Sequence, residues 1–147
     1  MSKFIRISVR RKTKARAQGL CEYCLCPESY STSTFECEHI QPSSLDGTSD
    51  INNLAWACGG CNRIKSNRTS VKDIKSGRMV ALYNPRQDVW EDHFKWSHNW
   101  LELIGLTPCG RATIEWLQLN RPGVKNMRSV LILVGKHPPR IQPQTNA

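Results

Sequence analysis

Two pairs of cysteines, each with two residues between its members, constrain this chain more than any other feature: Cys21-Glu-Tyr-Cys24 and Cys58-Gly-Gly-Cys61. A Cys-x-x-Cys turn aims both sulfurs at one ion, and two such knuckles complete the tetrahedron that zinc takes in structural sites. Gly59 and Gly60 are expected to relieve steric limits on the second turn. The other reading, a redox pair, does not need a duplicate. Seven cysteines are present in all. An odd count with no export signal disfavours a disulfide framework. Cys26, Cys37 and Cys109 are expected to be buried thiols, with Cys26 able to compete with Cys24 as a ligand.

The chain has 147 residues, 39% of them hydrophobic and 22% charged, which suits one soluble globular domain. Its longest apolar run, Val130 to Val134, is far too short to span a bilayer. No membrane partner is expected, and neither is a secretory leader; a cytoplasmic location follows. The formal charge is +9 and it is unevenly placed. Residues 1–20 carry seven basic side chains and no acidic one, whereas residues 21–57 carry six acidic and no Lys or Arg. Residues 58–86 return to seven basic against one acidic, and residues 121–147 carry five basic only. The basic blocks favour a polyanion. Carboxylates between them repel phosphate, so that block makes more sense if it binds a cation.

The 33 residues between the knuckles exceed the needs of a simple zinc ribbon. Phe35 to Ile40 alternates like a strand that Pro42 ends, and Ser43 to Asp50 is a polar loop holding Gly47. A second strand is expected over Asn52 to Ala57, followed by a helix beginning at Asn62. Glu38 within this insert and Asn62 directly after the second knuckle offer oxygen to a hard cation such as magnesium. His39 offers a base for water, and Lys65 lies one helical turn beyond Asn62. Each also has an ordinary reading: a structural histidine, a helix N-cap at Asn62, a solvated glutamate.

Taken together, Cys21-x-x-Cys24, Glu38-His39-Ile40-Gln41-Pro42, Asn53-Leu54 and Cys58-Gly-Gly-Cys61-Asn62-Arg63-Ile64-Lys65 resemble the HNH endonuclease family in its zinc-bearing form. The step from Asn53 to Asn62 also resembles the HNH domain of RNA-guided nucleases. Two later stretches, Asn84 to Trp96 and Gly105 to Ile114, look like the tail of small stand-alone bacterial HNH proteins. The resemblance implies an α+β fold: a zinc-pinned ββα-metal core with flanking helices. It implies His39 as general base and Glu38 and Asn62 as ligands of a catalytic Mg2+ or Mn2+. Asn53 would hold the loop and orient His39, with Lys65 assisting. Cys21, Cys24, Cys58 and Cys61 would hold structural Zn2+. The implied activity is hydrolysis of DNA phosphodiester bonds, leaving 5′-phosphate and 3′-hydroxyl ends. Arg10, Arg11, Lys12, Arg63, Arg86 and Arg111 are the expected DNA contacts. Glu38 departs from the family, which more often has Asp there; Asn62 in place of a third His is a common variant. The alternative is a zinc-ribbon nucleic-acid binding module with no chemistry.

This reading divides the chain into a basic arm or helix (1–20), the core (21–70), a mostly helical extension packed on it (71–137) and a flexible tail (138–147). In the arm Ile5, Ile7 and Val9 alternate as in a strand, but a helix is favoured. A short helix is expected within Val71 to Met79, a strand or turn at Val80 to Tyr83, and helices over Ala112 to Leu119 and Val124 to Val134. Trp90, Phe94 and Trp96 are expected to pack beneath the zinc module. His93 and His98 carry no chemistry on this reading.

Overall fold

The computed structural model describes residues 4–140. The chain runs through helix α1 (Ile7–Arg16), hairpin β1 (Glu36–His39) and β2 (Leu54–Ala57), and helix α2 (Gly59–Lys65). A second hairpin, β3 (Ser70–Lys72) and β4 (Met79–Ala81), follows. The short α3 (Trp90–His93) then leads to a third, β5 (Phe94–Trp96) and β6 (Leu103–Gly105), before α4 (Pro108–Trp116) and α5 (Pro122–Leu133). All three hairpins are separate two-stranded antiparallel sheets. Small sheets of this kind are marginal alone and need a packed face. Here helices and a shared core supply it, giving the α+β architecture expected. Among the described residues no helix is long and apolar enough to cross a membrane.

The hairpin β1–β2 is the centre of the core. Its register pairs Glu36 with Ala57, Cys37 with Trp56, Glu38 with Ala55 and His39 with Leu54. All four residues of β2 are buried, and Trp56 packs 6.5 Å from Phe35. The basic N-terminal segment is helical, and it docks through arginines rather than through an apolar stripe. Arg16 donates to the carbonyls of Ile51 (2.9 Å) and Leu54 (2.6 Å). Arg10 donates to the carbonyl of Phe35 (2.7 Å) and lies 5.1 Å over the Trp56 ring.

Local chemistry moved two boundaries. The helix expected to begin at Asn62 starts at Gly59, because the Cys58 sulfur serves as its N-cap and accepts from Cys61 N at 3.4 Å. Asn62 is therefore inside the helix and is not its cap. The short helix expected within Val71 to Met79 is instead the β3–β4 hairpin. Gly77 turns the chain at φ +73°, and Asp73 organises the turn by accepting from Ser76 N (3.1 Å) while Gly77 N reaches its carbonyl (2.7 Å). Val71 is buried but Ile74, its expected helical partner, is exposed.

The aromatic residues pack as expected. Phe94 is buried with Tyr83 edge-on at 5.2 Å, and half-buried Trp90 lies 5.6 Å from Phe94 and 5.8 Å from Trp96. The helices expected over Ala112 to Leu119 and Val124 to Val134 form, but both begin earlier, each with proline in its first turn. Thr107 caps α4 by accepting from Gly110 N at 3.0 Å. Arg128 of α5 is 1% exposed and donates to the carbonyls of Leu101 and Leu119, both at 2.9 Å. It thereby locks α5 to the chain before it. Of the expected arm and tail, residues 1–3 and 141–147 lie outside the described residues.

The buried Asp73 carboxylate is gripped by Arg111 of α4 at 3.0 and 3.3 Å, and this guanidinium holds its pKa down at about 2. A folded-state value below the ordinary 3.8 means stability that is present above that pH and lost as pH falls toward 2. Thermal unfolding between pH 5 and 2 checks this: we expect Asp73→Asn to lower Tm at pH 5 and to show a shallower fall below pH 4 than the wild type.

Candidate active site

The four cysteines of the two knuckles converge. The sulfurs of Cys21, Cys24, Cys58 and Cys61 all lie within 4.8 Å of one another, with Cys24 and Cys58 3.9 Å apart. Tetrahedral zinc–thiolate bonds set sulfurs about 3.8 Å apart, so this donor set fits structural zinc. The quartet does not include Cys26, whose thiol lies beside that of Cys24; Cys26, Cys37 and Cys109 are half-buried thiols rather than fully buried ones. Sequence reading missed Arg121, the residue that caps the quartet. Its guanidinium donates to Cys61 Sγ at 3.5 and 3.6 Å and to Cys58 Sγ at 3.7 Å. Gly60 makes room for it, since a Cβ there would lie 2.7 Å from Arg121 Nη2. That, rather than the turn, explains the glycine: neither Gly59 nor Gly60 has positive φ.

Beside this quartet β1, α2 and the loop after β1 enclose a cleft of about 420 Å³. Glu36, Glu38, His39 and Asn62 all line it. Glu36 and Glu38 are two apart on β1 and so share a strand face. Glu36 is exposed and accepts from Asn62 Nδ2 at 3.4 Å. Glu38 is 3% exposed and engaged on both oxygens, by the Tyr23 hydroxyl and by Lys65 Nζ, each at 2.6 Å. Burial pushes the Glu38 carboxyl above its ordinary range, against the pull of Lys65 and Tyr23. Burial also pushes Tyr23 well up, so its hydroxyl remains a donor. Lys65 is itself 1% exposed and also reaches the Ile40 carbonyl at 3.3 Å. It lies beneath the strand as the counter-charge of Glu38.

His39 is half-buried, with Nε2 3.0 Å from Ser49 Oγ, a partner the sequence did not signal. Asn53 clamps the loop that carries Ser49. Its Oδ1 accepts from Gln41 N (2.9 Å), while its Nδ2 donates to the carbonyls of Gln41 (2.9 Å) and Thr48 (2.7 Å). Gly47 crosses so close that a Cβ there would sit 1.7 Å from the Gln41 carbonyl oxygen. No side chain fits at that crossing.

The expected DNA contacts divide sharply. Arg11, Lys12 and Arg63 are exposed, whereas Arg10 lines the cleft while bonded to Phe35. Arg86 is turned inward onto Glu22, and Arg111 is held by Asp73. Each is paired with an internal carboxylate; Arg86 keeps 11% exposure and Arg111 keeps 30%.

Residues 21–68 match the family model described as HNH endonuclease, so this stretch is of the HNH type and points to a nuclease or nucleic-acid-related function. No curated protein and no solved structure matches the chain.

Because structural zinc contributes folding free energy outright, Cys21→Ser and Cys58→Ser should cost zinc and fold together. Metal content by mass spectrometry and Tm are the measurements. We expect zinc below half the wild-type occupancy and a Tm lower by several degrees in both variants.

Proposed function

We propose that the chain is a metal-dependent DNA endonuclease whose chemistry resides in the β1–α2 cleft. The observation that carries this reading is the meeting of His39, Asn62 and two β1 carboxylates in one cleft, beside a pinned loop. His39 takes a proton from the attacking water. Oxygen of that water bonds to phosphorus as the P–O3′ bond breaks, which leaves a 5′-phosphate and, after protonation, a 3′-hydroxyl. Ser49 and the Asn53-clamped loop hold the imidazole in place. Asn62, Glu36 and Glu38 would hold a divalent ion, which supplies neutralisation of charge developing on the phosphate and leaving oxygen. Arg11, Lys12 and Arg63 are the open cations for backbone phosphates, and Lys65 acts through Glu38 as a positioning residue.

One observation favours the non-catalytic alternative, a nucleic-acid binding module: both oxygens of Glu38 are already engaged by Tyr23 and Lys65. Plasmid nicking with and without added metal separates the readings. An endonuclease nicks with magnesium or manganese and stops in chelator; a binding module retards DNA and never nicks it.

Two further outcomes follow from the site. His39→Ala should lower the nicking rate by about 10²–10⁴-fold while zinc content and DNA affinity stay within twofold. Magnesium demands near-ideal octahedral geometry, whereas manganese tolerates distortion. A site built on glutamates, one of them tied to lysine, should therefore work at least as well with manganese. Rates for Glu36→Gln and Glu38→Gln against each ion check the ligand assignment, and we expect each variant to lose most of its activity.

A further inference from the structure

Away from both the quartet and the cleft, the structure assembles three side chains of metal-ligating chemistry. Asp88 lies just before α3, His93 ends α3, and Cys109 is the second residue of α4. Their donor atoms all lie within 4.8 Å of one another and all three residues are half-buried. We propose that Asp88, His93 and Cys109 form a second transition-metal site, of zinc type, with three protein ligands and one open position.

The donor set is the first argument. One thiolate, one imidazole and one carboxylate together suit a borderline ion, and three protein ligands leave a fourth position for water or an anion. Zinc at about 2.0–2.3 Å from each donor sets the donors about 3.3–3.8 Å apart, so the side chains close by no more than about 1.5 Å.

The second argument is that each ligand is held by a further group, as ligands of resident metals are. Asp88 Oδ2 accepts from Asn84 N at 2.8 Å, and Asp88 N donates to the Asn84 carbonyl at 2.9 Å. A carboxylate has lone pairs to spare beyond that one bond. His93 Nδ1 lies 2.6 Å from Thr107 Oγ1, which fixes the ring. The two helices are also pressed together at this point. Leu106 N donates to the His93 carbonyl at 2.8 Å, and a Cβ on Gly110 would lie 2.1 Å from the same oxygen. Cys109 is thus presented beside His93 by a backbone contact that only glycine permits.

Cobalt(II) titration of the full chain, purified with zinc in its cysteine quartet, tests the proposal. Cobalt bound by Cys109 gives a sulfur-to-metal charge-transfer band, which cobalt in the thiolate-free ligand set of Glu36, Glu38 and Asn62 does not. We expect one equivalent with that band and no release of zinc. Cys109→Ser should abolish the band. His93→Ala and Asp88→Asn should weaken binding by more than about 100-fold, since even loss of a supporting group costs about 10–100-fold. Circular dichroism and Tm without added cobalt are expected to show Cys109→Ser folded, and the milder Asp88→Asn gives a second measure independent of the thiol. If wild type gives no band, or gives it only as zinc is displaced, the proposal fails. It fails equally if Cys109→Ser titrates like wild type.

Discussion

Everything described for this molecule hangs on the meeting of four sulfurs. The first knuckle follows α1, and the second follows β2 directly and supplies the cap of α2. Bringing them together closes a long loop, which is entropically costly for the chain alone. An ion that binds only the closed form offsets that cost. The closed loop is the insert that carries His39 and Asn53, and Asn62 directly follows the second knuckle, so joining the knuckles brings β1 and α2 to one cleft. The C-terminal half reads the same junction: Arg121 donates to its sulfurs, and Arg128 reaches the Cys24 carbonyl at 3.5 Å.

Within the cleft the decisive balance is between openness and burial on one strand. Glu36 and Glu38 share a face of β1, yet one is exposed beside Asn62 and the other is sealed under it by Lys65 and Tyr23. A buried carboxylate with a buried ammonium is tolerated when both find further bonds. Here Tyr23 and the Ile40 carbonyl supply them. The pair fastens α2 to β1 and leaves the site with one exposed and one buried carboxylate.

What the sequence made legible was mostly local. Cysteine spacing, the alternation over Phe35 to Ile40 and the apolar spacing of the two C-terminal helices each depend on a few neighbouring residues, and each reading survives with a shift of boundary, the prolines that start those helices having been passed over. What it could not reveal were partners distant along the chain. Arg86 and Glu22, Arg111 and Asp73, and Arg128 and Cys24 are 64, 38 and 104 residues apart. A basic residue count therefore overstated the surface available to phosphate, because several cations are internal fasteners. The hairpin at Val71 to Met79 was misread for a related reason. The apolar spacing of Val71 and Ile74 fits a helix, but the turn chemistry of Asp73, Ser76 and Gly77 outweighs two apolar residues. Among the expected site residues, the loop-clamping bonds of Asn53 are visible directly, whereas Ser49, Glu36 and Arg121 needed the fold to bring them into view.

The notch at Gly60 couples two distant positions. Alanine there favours α2 considered alone, by about 1 kcal/mol, yet its methyl group occupies the space of the Arg121 guanidinium. That cation lies against sulfurs whose zinc complex carries net negative charge, so displacing it exchanges a small local gain for an exposed, more nucleophilic cluster. The guanidinium is the far end of a flexible side chain and can shift to admit that methyl, so position 60 sets how closely the cation at 121 approaches the thiolates.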